Sequence, residues 1–393
     1  MSIERANEVL EVEMDFELNK EQQDIVRAAR EFAEGEFQER AEEFDRDESF
    51  DEAIFQKAAE LGFVGVFIKE EYGGPGMGIF DASLIMEEFN VVDPGIAITI
   101  GTSPFGAEII QEFGTEEQKK RYLPPLVTGD AIMATALTES DAGSDLAAAR
   151  TSAVMEGDEY IINGSKIFIS NGIRANHVLC FVQTDPDSDN RHKRHSMIMV
   201  ETDRPGFEAT PLKGKMGIRA SETAELSFNN VRVPRSNLIG DLGNGFAQAT
   251  YLFNHNRIGA AAQAVGIARA ALEESVRYVK KRIVFGAPLA TFQSTQFKIA
   301  DMFTWIKAGR NLYYEAAWKI DQGIIDHKLI AAAKSFCGQM AVKCADMALQ
   351  MHGGYGYYSD YKVQRLYRDA KITEIYEGTT EIEKLIMARN LLK

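Results

Sequence analysis

The stretch Thr151-Ser-Ala-Val-Met-Glu-Gly-Asp-Glu-Tyr-Ile-Ile162 decides how this chain is divided. Two short β-favouring runs, Thr151–Met155 and Glu159–Ile162, flank a Gly-Asp turn, which is the pattern of a β-hairpin. Similar runs rich in Val, Ile, Thr and Phe recur on either side with no helical pattern between them: Ala131–Thr138, Val178–Thr184, Ser196–Val200 and Ala224–Phe228. Asn163-Gly164 and Asn171-Gly172 add two further hairpin signals. Regular spacing of this kind predicts an antiparallel barrel or sandwich over residues 131–240.

Outward from that block the period changes to that of a helix on both sides. In Leu18–Phe37 apolar residues return every three or four positions, at Ile25, Val26, Ala29, Phe32, Ala33 and Phe37. Asn19 stands where it can cap this helix, and Glu21 and Asp24 lie in the first turns, where the helix dipole favours carboxylates. Further helices are expected over Phe50–Leu61, Gly78–Val92, Pro94–Phe113 and Glu116–Thr128. On the C-terminal side they are expected over Phe246–Val279, Thr291–Ile320 and Asp326–Met351, with a last one from about Thr379. Ala260, Ala261, Ala262, Ala264 and Gly266 give one of them a face suited to close bundle packing. The reading is therefore α+β, mostly α: a flexible leader over 1–13, an N-terminal helical domain over 14–130, the β domain over 131–240, and a C-terminal four-helix bundle over 241–393.

Composition narrows the function classes. The 393 residues carry 43 Lys+Arg against 59 Asp+Glu, a net charge of −16, which argues against nucleic acid and anionic lipid as partners. The three cysteines, Cys180, Cys337 and Cys344, are too scattered for a disulfide framework or a metal site and read as small buried hydrophobes. The N-terminus lacks the layout of a signal peptide, and Val91–Ile110 is interrupted by Asp93, Pro94, Pro104 and Glu108, so a cytoplasmic protein without membrane insertion is expected. Tyr72-Gly-Gly-Pro-Gly-Met-Gly lacks the strand, helix and Gly-Lys-Ser/Thr ending of a phosphate loop. The polar run Asp185–His195 reads as a solvated loop in preference to a histidine metal site.

Three clusters have chemical potential. Ala136-Leu-Thr-Glu-Ser-Asp-Ala-Gly-Ser-Asp145 sets hydroxyls and amides around Gly143, fit for an anionic or amide-rich ligand, or simply a turn. Gln350-Met-His-Gly-Gly-Tyr-Gly-Tyr357 allows close backbone approach to a flat or phosphate-bearing ligand, or caps a helix; His352 by itself reads as packing. In Ile375-Tyr-Glu-Gly-Thr-Thr-Glu381, Glu377 sits between apolar residues and a helix start, where desolvation would make it a base; a helix N-terminal carboxylate is the other reading.

Taken together these clusters resemble the acyl-CoA dehydrogenase family of flavoproteins, over nearly the whole chain from about Met14. The matched pieces are Leu61-Gly62…Glu71-Tyr72-Gly73-Gly74, Leu137–Asp145, Asn163–Asn171, Arg282…Phe285-Gly286…Phe292-Gln293, Gln350…Gly353-Gly354…Gly356-Tyr357 and Arg368-Asp369…Ile375–Thr379. The resemblance implies FAD as cofactor, with Thr135, Leu137, Thr138, Gly143 and Ser144 on the isoalloxazine loop and Phe168 and Ser170 against the ring. It implies that Arg282, Phe285, Gln293, Gln350, Gly353 and Gly354 bind the pyrophosphate and adenosine, several of them from a neighbouring subunit of a homotetramer, with Thr379 and Glu381 also at the cofactor. Ser144, Asn254, Arg257 and Gly378 would contact acyl-CoA. Phe168 replaces a common Trp, Asn254 a common Asp and Ser140 a common Pro.

The implied reaction is α,β-dehydrogenation of an acyl thioester. Glu377 removes the α-proton, hydride passes to flavin N5, and electrons go on to electron-transfer flavoprotein. Some family members place the base where this chain has Asn256, which cannot act as one. A flavin oxidase, an enoyl-CoA reductase and a non-catalytic binding protein are the rivals. No metal is implied. The pocket floor is expected from Asp93–Gly106, with Ile96, Ile98, Thr99 and Ile100 making it mostly apolar; a short-chain, branched or cyclic acyl group suits it. Asp93 reads as a helix cap or, alternatively, a second base.

Overall fold

A computed structural model of the protein describes residues 17–393; the expected leader lies outside the described residues. Helix α1 (Lys20–Glu36) starts on a capping box: the Asn19 side chain accepts from Gln22 N at 2.9 Å, and the Gln22 side chain accepts from Asn19 N at 3.1 Å. Behind it come α2 (Ala41–Asp47), which the sequence reading missed, α3 (Glu52–Glu60) and α4 (Ile79–Val92). Phe37 and Phe63 meet Phe89 of α4 edge-on at centroid distances of 5.2 and 5.3 Å, so aromatic packing fixes how α1 lies on α4.

The helix expected over Pro94–Phe113 is two helices, α5 (Pro94–Gly101) and α6 (Ala107–Phe113), followed by α7 (Glu116–Thr128). Asp93 caps α5, accepting from Ile96 N at 2.9 Å, and lies 3.1 Å from the Arg365 guanidinium. The break falls where Pro104 withholds an N–H and Gly106 takes a φ of +106°. Periodicity alone reads through such a break, because apolar spacing is kept on both sides.

The middle segment holds β1 (Met133–Ala136), β2 (Ser152–Glu156), β3 (Glu159–Ser170), β4 (His177–Gln183), β5 (His195–Glu201), β6 (Phe207–Pro211), β7 (Thr223–Pro234) and β8 (Leu238–Ile239). The β2–β3 hairpin is present, with Glu156 opposite Glu159 and Gly157 at a φ of +64°. The sheet runs β6-β7-β3-β2-β4-β5-β8, with β1 on β4. It is mixed: β1 runs parallel to β4, and β2 meets β4 in parallel at Ser152 opposite Gln183. Asn163-Gly164 is not a hairpin turn. It lies inside β3 at a register shift against β7, where Gly164 presses on Thr151. Asn171, at a φ of +57°, turns the chain out of β3, but β3 pairs with β7 and not with β4. Asn-Gly reports tolerance of positive φ, which bulges and open turns need as much as hairpins do.

The last segment comprises α8 (Gly245–Lys281), the small hairpin β9 (Ile283–Val284) and β10 (Ala287–Pro288), α9 (Gln293–Asp321), α10 (His327–His352), α11 (Val363–Ala370) and α12 (Thr380–Leu391). Ala261, Ala264 and Ala268 of α8 and Ala341, Ala345 and Ala348 of α10 are buried in one core, as the small-residue face predicts. A Cβ on Gly266 would strike the Glu87 carbonyl, so glycine lets α4 dock on α8. At that junction Glu87 is buried and paired with Arg269 and Arg310, and it accepts the Tyr313 hydroxyl proton.

All three cysteines are free and buried, and His352 packs on Tyr278, its Nδ1 2.8 Å from the Ala348 carbonyl. His195 departs from the solvated-loop reading: it opens β5, is fully buried, and places Nε2 2.9 Å from the Ala149 carbonyl. Among the described residues no His/Cys/Asp/Glu grouping could hold a metal ion, and no helix is long and apolar enough to cross a membrane.

Candidate active site

The chain leaves α11 through a tight turn at Lys371–Glu374 and reaches α12 by way of Tyr376-Glu377-Gly378. Thr379 caps α12, its hydroxyl accepting from Ile382 N at 3.4 Å. Glu377 takes a φ of +54°, a strained region for a residue with a side chain, and Gly378 follows at +104°. Three contacts hold this segment, two of them to its carbonyls. Arg257 Nε of α8 donates to the Glu377 carbonyl at 3.2 Å, Lys334 Nζ of α10 donates to the Gly378 carbonyl, and the Tyr376 hydroxyl donates to Gln263 Oε1. Arg257 Nε also lies 3.0 Å from Glu383 Oε1 of α12, and Glu383 is fully buried. A Cβ on Gly378 would strike that Glu383 carboxylate.

So held, Glu377 lines a mainly apolar cavity between α4, the α5–α6 break and α8, walled by Phe67, Ala82, Met86, Ile98, Phe105 and Ala260. Its Oε2 is buried with no hydrogen-bond partner among the described residues. Burial pushes the Glu377 carboxyl up to about 7, against the opposing pull of Arg257 and Lys334, with Glu383 adding to the rise. Lys334 is brought down to about 8, chiefly by burial. A carboxylate tuned near neutrality in an apolar cavity can accept a proton from carbon and return it.

The floor differs in detail from expectation. Ile98, Gly101, Thr102, Pro104 and Phe105 line the cavity, while Ile96 and Ile100 point into the N-terminal core and Thr99 bonds to Gly95 and Ala220 carbonyls. Asp93 is a cap paired with Arg365 and is not among the lining residues, which removes the second-base alternative.

The other expected positions fall into two further patches. On the β segment, Phe168 sits on a register shift of β3 at a φ of +63° and is 67% exposed, beside the partly buried Ser170. Gly143 and Ser144 are exposed; Thr135 is buried, its hydroxyl donating to the Phe105 carbonyl at 2.6 Å. Leu137 and Thr138 offer carbonyls to Lys166 Nζ at 3.0 Å and Ile167 N at 2.9 Å. At the far end of the helical segment, Arg282, Gly353 and Gly354 line a separate cavity, and Phe285, Gln293 and Gln350 are exposed. Glu381 is exposed on the first turn of α12. Asn254 is buried, 3.3 Å from His327 Nδ1, and Arg257 is engaged with Glu377 and Glu383.

Sequence reasoning missed Lys334, Gln263, Glu383 and Glu108. Glu383 carried a faint signal, an acid in the first turn of a helix, which also has a simple dipole explanation. In the sequence Glu108 stands only as an interruption of an apolar run.

This architecture and site define a class. Family models for the acyl-CoA dehydrogenase N-terminal, middle and C-terminal domains match residues 19–130, 134–231 and 243–392. The chain belongs to the acyl-CoA dehydrogenase family and is an oxidoreductase; members of the family are FAD-dependent flavoproteins. It is 44% identical to an acryloyl-CoA reductase (NADH) of Anaerotignum propionicum over 97% of this chain and 96% of that one. Among solved structures it is similar to butyryl-CoA dehydrogenase from Megasphaera elsdenii, with a TM-score of 0.93 and 40% identity over 97% of this chain and all of that one. It is similar also to a chain from a study of the electron transferring flavoprotein of Acidaminococcus fermentans and flavin-based electron bifurcation. There the TM-score is 0.94 and the identity 42%, over 97% of this chain and all of that one.

Proposed function

We propose that the chain dehydrogenates a short-chain, branched or cyclic acyl-CoA to the trans-2-enoyl-CoA, with Glu377 as the base that takes the α-proton. The observation that carries this reading is the Glu377 carboxyl itself, turned into an apolar cavity with one oxygen unpartnered and its pKa raised to about 7. An α-proton beside a thioester is too weakly acidic for a carboxylate in water, so the site must also stabilise charge on the thioester oxygen. The Glu377 backbone N–H is the donor assigned to that oxygen, and the Arg257 and Lys334 contacts to the adjoining carbonyls keep it in place.

FAD, when bound, supplies the acceptor for the hydride that leaves the β-carbon. The residues present fit it. Phe168 offers an exposed aromatic face, and a Cβ added at Gly143, Gly353 or Gly354 would meet nothing within 4 Å, so the backbone is open to close approach. We assign Thr135, Leu137, Thr138, Gly143, Ser144, Phe168 and Ser170 to the ring side. Arg282, Phe285, Gln293, Gln350, Gly353 and Gly354, on a separate patch, are assigned to the dinucleotide side, several of them to the cofactor of a neighbouring copy in a homotetramer. Thr379 and Glu381 complete the cofactor set, and Ser144, Asn254, Arg257 and Gly378 the acyl-CoA set.

The Acidaminococcus fermentans neighbour supports electron-transfer flavoprotein as the electron acceptor. The acryloyl-CoA reductase relative supports a second reading, the same chemistry run towards the saturated thioester. FAD-loaded protein given butyryl-CoA and an artificial acceptor should yield an enoyl-CoA two hydrogens lighter. Formation of product only from crotonyl-CoA and a reductant would select the second reading, and no conversion either way of butyryl-, isobutyryl- or cyclohexanecarboxyl-CoA or their enoyl counterparts would remove both.

A further inference from the structure

The lining of the cavity that holds Glu377 is not wholly apolar. Glu108, on the α6 side, is only 7% exposed and lines the same cavity. Its Oε2 accepts from Gly106 N at 3.2 Å. On α8, Asn256, Gly259, Ala260 and Gln263 follow one another at helical spacing along the cavity, and Gly259 leaves the row open, since a Cβ there would meet nothing within 4 Å. Gln263 is fully buried; its Oε1 takes the Tyr376 hydroxyl proton, and its Nε2 has no acceptor among the described residues. Asn256 Nδ2 is likewise buried without an acceptor.

The other polar side chains of the lining are satisfied locally. The Ser83 and Thr102 hydroxyls each donate at 2.7 Å to a carbonyl of their own helix, and His255 Nδ1 lies 2.9 Å from the Tyr251 carbonyl. Buried N–H groups without acceptors are costly, and a site containing them discriminates in favour of the ligand that supplies the acceptor.

We infer that this cavity selects acyl-CoA substrates carrying a neutral hydrogen-bond-accepting oxygen, a ketone above all, on the distal part of the acyl chain, with Gln263 Nε2, Asn256 Nδ2 and the Glu108 carboxyl as its donors. The inference rests on the acyl-CoA dehydrogenase reading and narrows its substrate. Burial, with the nearby Glu377 charge adding to it, raises the Glu108 carboxyl to about 7, so the protonated form that donates is well populated at neutral pH, and a substrate that dries the cavity favours it further. Acyl chains ending in a carboxylate are disfavoured for a separate reason, since the tail would have to be desolvated in a mainly apolar cavity that already holds the Glu377 charge.

The test is anaerobic reduction of the FAD-loaded enzyme by matched pairs: 4-oxopentanoyl- against 4-methylpentanoyl-CoA, 5-oxohexanoyl- against 5-methylhexanoyl-CoA, and 6-oxoheptanoyl- against 6-methylheptanoyl-CoA. Adipyl-CoA is included as the charged tail. At least one ketone should exceed its hydrocarbon partner in reduction rate over Kd by about tenfold or more, the size of one or two buried hydrogen bonds. In Glu108→Met that ratio should collapse towards one, and in Glu108→Gln, which keeps a donor, most of it should remain. Hydrocarbon chains that equal or beat every ketone, or an unchanged ratio in both Glu108→Met and Gln263→Met, would overturn the inference while leaving the dehydrogenase reading intact. No reduction by any thioester would overturn that reading and this inference with it.

Discussion

Arg257 Nε lies 3.0 Å from Glu383 Oε1 and donates to the Glu377 carbonyl at 3.2 Å, so one guanidinium joins a buried acid on α12 to the backbone of the proposed base. Glu383 and Lys334 act on Glu377 with opposite sign, the first raising its pKa and the second lowering it. Glu383→Gln should therefore move the acidic limb of the kcat/KM profile to lower pH, and Lys334→Met should move it to higher pH. A pH series on both variants checks this; parallel movement would show that the two act only on the fold.

The raised pKa of Glu377 also has a stability consequence. Its folded value, about 7, exceeds the ordinary value of 4.5. The unfolded chain therefore gives up this proton first, and native stability falls as pH rises from that ordinary value through about 7. Glu377→Gln removes the penalty. Its Tm should match wild type near pH 4.5 and exceed it at pH 8, by the equivalent of about 1–3 kcal/mol. Thermal scans at the two pH values decide it.

Gly378 makes room for the Glu383 carboxylate and holds a φ of +104°. Gly378→Ala should displace one or the other, costing on the order of 1–3 kcal/mol in the loop. A fall in kcat of tenfold or more is expected, with far-ultraviolet circular dichroism unchanged.

Glu87 is the stability anchor between α4, α8 and α9. Burial alone would raise its carboxyl, but Arg269 and Arg310 outweigh burial and hold it below the ordinary value. Its stabilising effect is thus present above the ordinary carboxylate pKa and is lost as pH falls through the depressed one. Glu87→Ala leaves Arg310 without its acid and the Tyr313 hydroxyl without its acceptor, while Arg269 keeps Glu88, and should destabilise the fold by about 3 kcal/mol, read from denaturant midpoints at neutral pH.

How much of this was legible in the sequence depends on the reach of each signal. Asn19, Asp93 and Gly157 act within a few residues of themselves, and their caps and turn form as read. Periodicity placed the long helices but ran through the break at Pro104 and Gly106. The β-runs were found, yet the pairing of β1 and β2 alongside β4 is set by partners far along the chain, which local turn chemistry does not encode. Glu377 was legible because a motif surrounds it. Lys334, Gln263 and Glu108 were not, since each reaches the site from a separate helix, and spacing carries no information about which faces meet.

The most direct test of the central claim is an anaerobic titration of FAD-loaded protein with butyryl-, isobutyryl-, hexanoyl- and cyclohexanecarboxyl-CoA, run in parallel on wild type and Glu377→Gln while flavin absorbance is followed. The account predicts that at least one thioester bleaches the wild-type flavin and that the variant binds the same thioester without bleaching. Equal bleaching in Glu377→Gln would contradict it, because the α-proton would then be leaving to some other base.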